Sequence, residues 1–279
     1  MNNVAVIGIV GNSVFLPVDK FHLAGETIEA KSVHFEYGGK GFNQAVAAAR
    51  WGAQVSFLAA VGNDGYDGIK EFLEKENIEP VLIQKNEPTA FAAIVTDNSG
   101  ANRVTVYQGA QLTANDVRAF TQYIQKADVL LINNEVNEAV NIAAAELAKK
   151  HGVKIVLNPA PYRKTDGELL KIVDFFTPNE HEAKDLDEFD NVIQTLGSKG
   201  CYIKSTGKII SAEKVKAVDT TGAGDTFNGV FAAELSILKA TEEAALSAVK
   251  ASGSSVTKKG AVSSIPYKSE IIKQTEIRK

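Results

Sequence analysis

Short β-prone runs alternate with helical segments along most of this chain, and this alternation indicates its fold class. The predicted strands are Val4–Val10, Val55–Val61, Ala127–Ile132, Lys154–Leu157, Phe175–Thr177, Asn191–Thr195 and Gly200–Lys204. The predicted helices are Gly41–Trp51, Asp67–Glu76, Val136–His151, Glu180–Leu186, Asp225–Leu238 and Glu242–Thr257. Strands that alternate with helices need crossover connections, which favour parallel pairing. We therefore expect an α/β fold with a mainly parallel central sheet, helices on both faces, and ligands at the carboxyl ends of its strands.

Two segments break the alternation and predict a small β-sheet lid. The first covers about residues 12–37, and the second, about residues 89–108, is a hairpin around the turn Asp97–Gly100. We expect both to form one lid subdomain within a single domain over residues 1–279. A lid that closes over a substrate would exclude water from the reaction. Ordinary edge strands of the main sheet are the alternative.

The composition argues against several classes of protein. A formal charge of -4 gives no reason to expect nucleic acid as a partner. The single Cys201 excludes an internal disulfide and a cysteine-based zinc site, and the four histidines lack metal-ligand spacing. No apolar run is long enough to span a membrane, and the N-terminal residues show no signal-peptide pattern. We therefore expect a cytoplasmic protein.

The most informative motif places Gly222, Ala223 and Gly224 directly before Asp225, at the expected start of a helix. Unpaired N–H groups at a helix N-terminus favour an anion. An acid beside such an anion hole suits the transfer of a phosphoryl group to an alcohol, because the carboxylate can accept the hydroxyl proton. Taken alone, the motif is equally consistent with a glycine-rich turn in which Asp225 caps the helix.

A second glycine-rich motif, Tyr37–Gln44, precedes a helix of small residues. Its glycines would let the backbone approach a ligand closely, and Lys40 and Asn43 offer donors suited to hydroxyl groups. It is not a P-loop, because the sequence Gly-x-x-x-x-Gly-Lys-Ser/Thr is absent. A tight turn that caps a closely packed helix is the alternative.

With these motifs the chain resembles the ribokinase-like (PfkB) carbohydrate kinase family, and its motifs are most similar to those of ribokinases. Gly38–Gln44 matches the early Gly-Gly-Lys-Gly-x-Asn-Gln signature, and Asp219–Asp225 matches the late Asp-Thr-x-Gly-Ala-Gly-Asp signature. Further matches are Asn158–Pro161, Thr177–Glu182, Thr195–Gly200 and Val256–Ala261, so the resemblance extends from about Val4 to Pro266. It implies a ribokinase-like fold and the ATP-dependent phosphorylation of the primary hydroxyl of a sugar.

The resemblance also implies a role for each motif. Asp225 would be the catalytic base, and Gly222, Ala223 and Gly224 would form the anion hole. The sugar would be bound by Gly39, Lys40, Asn43, Glu135 and Asp225. ATP would contact Thr195, Gly197, Gly200 and Gly224, while Asn179 and Glu182 would hold Mg²⁺ through water. A monovalent cation such as K⁺ would lie among Asp219, Thr221, Ser255, Lys258, Gly260 and Ser264, several of them acting through backbone carbonyls, so Lys258 is not read as a side-chain ligand.

Three of these assignments have simpler alternatives in the residues themselves. Asn179 and Glu182 fit the capped start of a helix, which is compatible with magnesium binding. Glu135 is equally the first solvated residue after a buried strand. The stretch Thr195–Gly200 is by itself an ordinary turn.

The chain departs from the family at the acceptor site. Ribokinases usually carry Asn-x-Asp after the first strand, where this chain has Gly11 and Ser13, with Asn12 between them. A hydrogen bond from a sugar hydroxyl to a carboxylate in a closed site is worth about 1–3 kcal/mol. We therefore expect that the acceptor is not simply D-ribose, or that it is held by Asn12, Ser13 and Glu135 instead.

A second departure concerns the nucleotide side. Only eight residues separate Glu182 from Asn191, where most relatives have an extra helix. No residue with an assigned role is missing, so we expect the fold to survive.

Alternatives to the sugar kinase are a nucleoside kinase or sugar-phosphate kinase of the same family, and a non-catalytic sugar- or nucleotide-binding relative. The edges of the lid strands would be exposed in a monomer. Pairing of two lids across a twofold axis would bury those edges, so a homodimer through the lid is one expected assembly.

Overall fold

Six parallel strands form the centre of the molecule in the computed structural model, which describes residues 2–99 and 101–277. The strands are β1 (Asn3–Ile7), β4 (Gln54–Gly62), β5 (Ile78–Lys85), β8 (Val129–Asn133), β9 (Lys154–Asn158) and β10 (Phe175–Phe176). Their order is β10-β9-β8-β1-β4-β5, and every neighbouring pair is parallel. The predicted α/β class is therefore confirmed.

Helices cover both faces of this sheet. They are α1 (Lys40–Arg50), α2 (Tyr66–Lys75), α3 (Thr121–Lys126), α4 (Glu138–Lys150), α5 (Gly167–Ile172), α6 (Ala223–Ser236), α7 (Thr241–Ser255) and α8 (Lys268–Ile277). Short 3₁₀ turns span Ala114–Phe120, Ala183–Asp185, Gly197–Lys199 and Lys204–Thr206. Because side chains alternate along a strand, Val4 and Val6 of β1 join the core under α1, α6 and α7, whereas Ala5 and Ile7 join the core under α4.

A separate four-stranded sheet brings together the two segments that interrupt the alternation. Its strands are β2 (Gly11–Pro17), β3 (His34–Gly38), β6 (Ala90–Thr96) and β7 (Asn102–Tyr107), in the order β3-β2-β6-β7. The predicted small sheet is therefore confirmed, although its central pair, β2 and β6, is parallel. Gly100, in the predicted turn, lies outside the described residues.

A third sheet corrects the sequence prediction on the nucleotide side. The predicted strands Asn191–Thr195 and Gly200–Lys204 are shorter, and they form an antiparallel sheet of β11 (Ile193–Thr195), β12 (Cys201–Ile203) and β13 (Lys208–Ile210). One parallel bridge, between Phe176 and Val192, connects it to the central sheet. The short turn between β11 and β12 explains the antiparallel pairing, because it leaves no room for a crossover helix.

The predicted helix Glu180–Leu186 is wrong, since only the 3₁₀ turn Ala183–Asp185 forms there. Asn179 lies before this turn, and its side-chain oxygen accepts from the N–H of His181 and Glu182, whereas the N-cap of the 3₁₀ turn is Glu182. The acids Asp185, Asp187, Glu188 and Asp190 follow at once. Carboxylates at the C-terminal end of a helix oppose its dipole, so the turn does not extend.

Candidate active site

Asp225 lies in the first turn of α6, directly after the glycine-rich turn. Gly222 is the N-cap with a φ of 74°, a left-handed conformation that favours glycine. A Cβ built on Gly224 would meet no atom within 4 Å, so there is open space beside the start of the helix. The first N–H groups of an α-helix have no partner within the helix. The turn therefore offers an anion site next to the carboxylate.

The carboxylate of Asp225 is held by two amides from α1. Asn43 Nδ2 donates to Oδ2 at 2.8 Å, and Gln44 Nε2 donates to Oδ1 at 3.3 Å. Burial raises the pKa of Asp225 above its ordinary value, and it outweighs the lowering by the charge of Lys40 and by the two amides. A higher pKa makes the carboxylate a stronger base.

Close packing of α1 against α6 brings these groups together. A Cβ on Gly229 of α6 would lie 2.3 Å from the carbonyl oxygen of Gln44 and 2.6 Å from the Cβ of Ala47. At the start of α1, a Cβ on Gly39 would lie 2.3 Å from the carbonyl oxygen of Ile9. Glycine is thus required at both contacts, and the two glycine-rich motifs form one site.

A chain of polar side chains, not identified from the sequence, supports the base. Gln44 Nε2 also donates to Asn158 Oδ1 at 3.1 Å, and Asn158 Nδ2 donates to the carbonyl oxygen of Thr177 at 3.0 Å. The Thr177 hydroxyl donates to Asn228, whose Nδ2 donates to the carbonyl oxygen of Gly224 at 2.8 Å. Gln44, Asn158 and Thr177 all belong to the recognised motifs, and this was the signal that could have identified them.

Glu135 and Gly39 line a cleft of 320 Å³ between the carboxyl ends of the strands and the four-stranded sheet, and Lys40 follows Gly39 at the start of α1. The backbone N–H of Lys40 donates to Glu135 Oε2 at 2.6 Å. Burial, together with the charge of Asp225, raises the pKa of Glu135 to about 7. The charge of Asp225 raises the pKa of Lys40, so its ammonium stays charged. Glu135 is thus a partly buried group of the site and not merely a solvated residue after a strand.

The structure also explains the glycine at position 11. A Cβ on Gly11 would lie 2.4 Å from the carbonyl oxygen of Ala90, its partner on β6. A side chain there would force β2 away from β6. Asn12 and Ser13 both line the cleft, and Ser13 Oγ lies 2.9 Å from the Cβ position of Gly38, which also lines it.

Asn179 and Glu182 bind each other's backbone at the end of the short strand β10. Glu182 Oε2 accepts from the N–H of Asn179 at 2.9 Å. The charge of Glu182 acts on both Lys40 and Asp225, which places this carboxylate near the base.

Thr195, Gly197 and Gly200 form the turn between β11 and β12. The Thr195 hydroxyl donates to the carbonyl oxygen of Pro178 at 3.3 Å, which joins this turn to the Asn179 segment. A Cβ on Gly200 would lie 1.9 Å from the carbonyl oxygen of Ile210, so this glycine is needed for the turn itself.

The residues assigned to a monovalent cation come from two adjoining loops. Asp219 Oδ1 accepts from the N–H of Thr221 at 2.9 Å, and Oδ2 accepts from the N–H of Gly260 at 3.0 Å. Ser255 and Ser264 are buried in the same region of the chain. The ammonium of Lys258 pairs with Glu270 at 2.8 Å, and this side chain is thus committed elsewhere.

Neither a ready-made metal cluster nor a membrane-spanning helix occurs in the described residues, 2–99 and 101–277. No group of three or more His, Cys, Asp or Glu side chains there could hold a metal ion. None of the helices in the same ranges has the length and apolar character required to cross a bilayer.

Comparisons with known proteins agree with the motifs. The pattern of the pfkB family of carbohydrate kinases matches residues 1–268. A ribokinase of Haemophilus influenzae is 38% identical over 298 residues, which cover 97% of this chain and 97% of that protein.

Solved structures give the same result. The ribokinase of Thermotoga maritima superimposes with a TM-score of 0.89 at 33% identity, over 99% of this chain and 100% of that one. An Arabidopsis thaliana ribokinase complexed with ribose and ATP gives a TM-score of 0.85 at 28% identity, over 98% of both chains.

Proposed function

The chain belongs to the pfkB family of carbohydrate kinases, and we propose that Asp225 activates the primary hydroxyl of a monosaccharide bound beside Lys40, Asn43 and Glu135. The family resemblance is confirmed, and with it the assignment as an ATP-dependent, ribokinase-like sugar kinase. One observation carries the residue assignment. The buried Asp225 carboxylate lies beside an open helix N-terminus and is bound by side chains of the other glycine-rich motif.

In this mechanism each group of the site acts on one part of the reaction. Asp225 accepts the proton of the acceptor hydroxyl, whose oxygen attacks the γ-phosphorus as the bond to the β-phosphate oxygen breaks. The N–H groups at Gly222–Gly224 stabilise the charge on the transferred group. The Lys40 ammonium, held close to Asp225, adds a positive charge near the reacting atoms.

The donor sets fit the two cations implied by the family. The Asn179 N–H donates to Oε2 of Glu182, and we assign the other carboxylate oxygen, Oε1, to hydrated Mg²⁺, which commonly binds through one or two carboxylates, waters and substrate phosphates. Bound Mg²⁺ would neutralise charge on the phosphates of ATP. The loops at Asp219–Thr221 and Ser255–Ser264 offer carboxylate, hydroxyl and carbonyl oxygens, which suit K⁺.

The acceptor is a monosaccharide in this proposal because the cleft is small. Its volume of 320 Å³ is near the lower end of small-molecule sites, about 300–1,000 Å³. Neighbouring residues of a strand point to opposite faces, so Asn12 and Ser13 cannot both face the sugar through their side chains. The position of Ser13 beside Gly38 favours Ser13.

The test is ADP release by the purified protein over a panel of pentoses, hexoses, nucleosides and sugar phosphates, with and without potassium. We expect turnover with a free sugar, and a rate that rises with potassium. Turnover restricted to nucleosides or sugar phosphates would show that the acceptor is not a free monosaccharide. Efficient turnover of D-ribose would show that Gly11 and Ser13 do not exclude it.

Asp225→Asn tests the base. The amide keeps the shape of the side chain but cannot accept the proton, so we expect turnover to fall by about 10²–10⁴-fold, the usual range for a general base, while ATP and the sugar still bind. Calorimetric titration with ATP checks binding. A variant that retained most of the activity would show that Asp225 is not the base.

Two wider proposals follow from the surface. We propose that the four-stranded sheet acts as a lid over the cleft, because β2 and β6 line the cleft. Its outer strand β7 is exposed along its whole length, which supports the expected homodimer through the lid.

The need for ATP supports the cytoplasmic location expected from the sequence.

A further inference from the structure

A buried carboxylate ties the lid to the body of the protein at a point outside the acceptor cleft. Glu36 is on β3, and its side chain is only 8% exposed. Its Oε2 accepts from the N–H of Ala261 at 3.1 Å, and its Oε1 accepts from the Ser263 hydroxyl. His34 Nε2 is 3.2 Å from the same Oε1. Ala261 and Ser263 belong to the loop after α7, so one side chain joins two elements far apart in the sequence.

The loop after α7, at Gly260 and Ala261, packs against the turn that forms the anion hole. A Cβ on Gly222, the N-cap of α6, would lie 3.3 Å from Ala261. On the other side of the loop, the Asp219 carboxylate bridges the N–H of Gly260 and the N–H of Thr221. The loop therefore contacts the anion-hole turn twice, and Glu36 holds the opposite side of the same loop.

The packing around the tether is tight. Gly260 has a φ of 91°, and a Cβ there would lie 2.6 Å from Glu36 Oε1. The Ala261 N–H and the Ser263 hydroxyl donate to the carboxylate, and these two hydrogen bonds offset the cost of burying a charged group. Apolar contacts alone would be enough to hold β3 against the rest of the protein. A buried carboxylate with directional bonds instead fixes the distance between β3 and the loop.

We propose that Glu36 is a positioning residue that couples closure of the lid to the geometry of the anion hole, an inference that rests on the proposed sugar kinase mechanism. When the lid is closed over the acceptor, Glu36 holds Ala261 against Gly222, and the N–H groups of the anion hole point at the transferred phosphate. The structure shows the state in which this tether is formed, and further opening of the lid would withdraw the carboxylate with β3 and loosen the loop. Phosphoryl transfer to water is thereby suppressed until an acceptor is bound.

The first test measures hydrogen exchange in the free protein and does not depend on catalysis. In Glu36→Gln and in Ser263→Ala, we expect faster exchange at residues 218–226, where the structure shows no hydrogen bond to either side chain. Asp19→Asn is the matched control, because Asp19 is a lid carboxylate whose partners, Lys31 and Asn98, are also in the lid. Exchange that rises only at residues 33–38 and 258–264 would reduce Glu36 to a local structural contact and overturn the proposal.

The second test uses the best acceptor from the sugar panel. Both variants should lower kcat by about tenfold or more, a barrier increase of about 1.4 kcal/mol, with a smaller change in the KM of the sugar. The double variant should be no less active than the single ones, because both changes break the same interaction. A rise in KM with kcat unchanged would overturn the coupling. An inactive wild-type protein would instead contradict the sugar kinase mechanism, and the exchange experiment would still decide the role of Glu36.

Discussion

The carboxyl groups of Asp225, which is buried, and Glu135, which is partly buried, share the cation Lys40, and their surroundings separate their roles. Asp225 is bound by the side-chain amides of Asn43 and Gln44 and lies at the helix N-terminus. Glu135 is bound by the backbone N–H of Lys40, and its pKa is raised to about 7 by burial and by the charge of Asp225. Glu135 therefore changes charge near neutral pH, and its ionised form is the stronger hydrogen-bond acceptor for a sugar hydroxyl.

We predict that kcat/KM for the sugar falls as the pH drops below about 7. Protonation of Glu135 removes a charged hydrogen bond to the sugar, worth about 1.5–3 kcal/mol. Glu135→Gln should raise the KM of the sugar and remove this part of the pH profile. The profile is measured at saturating ATP and Mg²⁺. An unchanged profile in the variant would show that another group titrates.

Thermal unfolding gives an independent check on Glu135. The folded-state pKa lies above the ordinary value of 4.5, so the folded protein binds the proton more tightly than the unfolded chain. Stability is then fully present below pH 4.5 and is lost as the pH rises towards 7. We predict that Glu135→Gln raises the melting temperature at pH 8 but leaves it nearly unchanged at pH 4.5.

At the scale of elements, the contact between α1 and α6 decides the geometry of the site. Gly229 lets the helices approach until Gln44 and Asn43 reach the Asp225 carboxylate. A methyl group at position 229 would separate the helices, and overpacking of this kind costs about 1–3 kcal/mol. We predict that Gly229→Ala lowers both the free energy of unfolding in urea and the turnover rate.

Gly253→Ala is the control for folding stability. Gly253 also lies within a helix, α7, but a Cβ there would meet no atom within 4 Å. We predict that this change stabilises the protein by about 0.4–1 kcal/mol, because alanine loses less backbone entropy on folding. If both substitutions changed the free energy of unfolding equally, helix propensity and not packing would determine the effect at position 229.

The sequence predicted those elements and site residues that depend on local patterns. The strands with continuous apolar runs and the helices that follow the glycine motifs were correct, because both signals lie within a few residues. Strand β5 was missed, since Pro80 interrupts its pattern, and proline is tolerated there only because β5 is an edge strand. The hydrogen bond from Asn158 to Thr177 joins two strand ends, and no local pattern reveals such a contact.

At the scale of the whole molecule, the acceptor cleft lies between the central sheet and the four-stranded sheet. The latter carries exposed apolar side chains on both faces, with Val104 and Val106 on the face of the cleft and Phe35 on the opposite face. Phe35, Val104 and Val106 are 67%, 52% and 61% exposed. Exposed apolar strands at a sheet edge favour pairing with another chain. The surface and the free edge of β7 thus point to a second copy of this chain as the partner.

We predict that the protein is a homodimer and that Val104→Asp converts it to a monomer. A carboxylate on β7 would be buried without a partner in the paired sheets, which is costly, whereas it would be solvated in the monomer. Light scattering should give a mass of twice 29.8 kDa for the wild-type protein and 29.8 kDa for the variant. Ile272→Asp is the control, because Ile272 is 50% exposed but lies on α8, outside the four-stranded sheet. A monomeric wild-type protein, or a dimer that survives Val104→Asp but not Ile272→Asp, would contradict pairing through the lid.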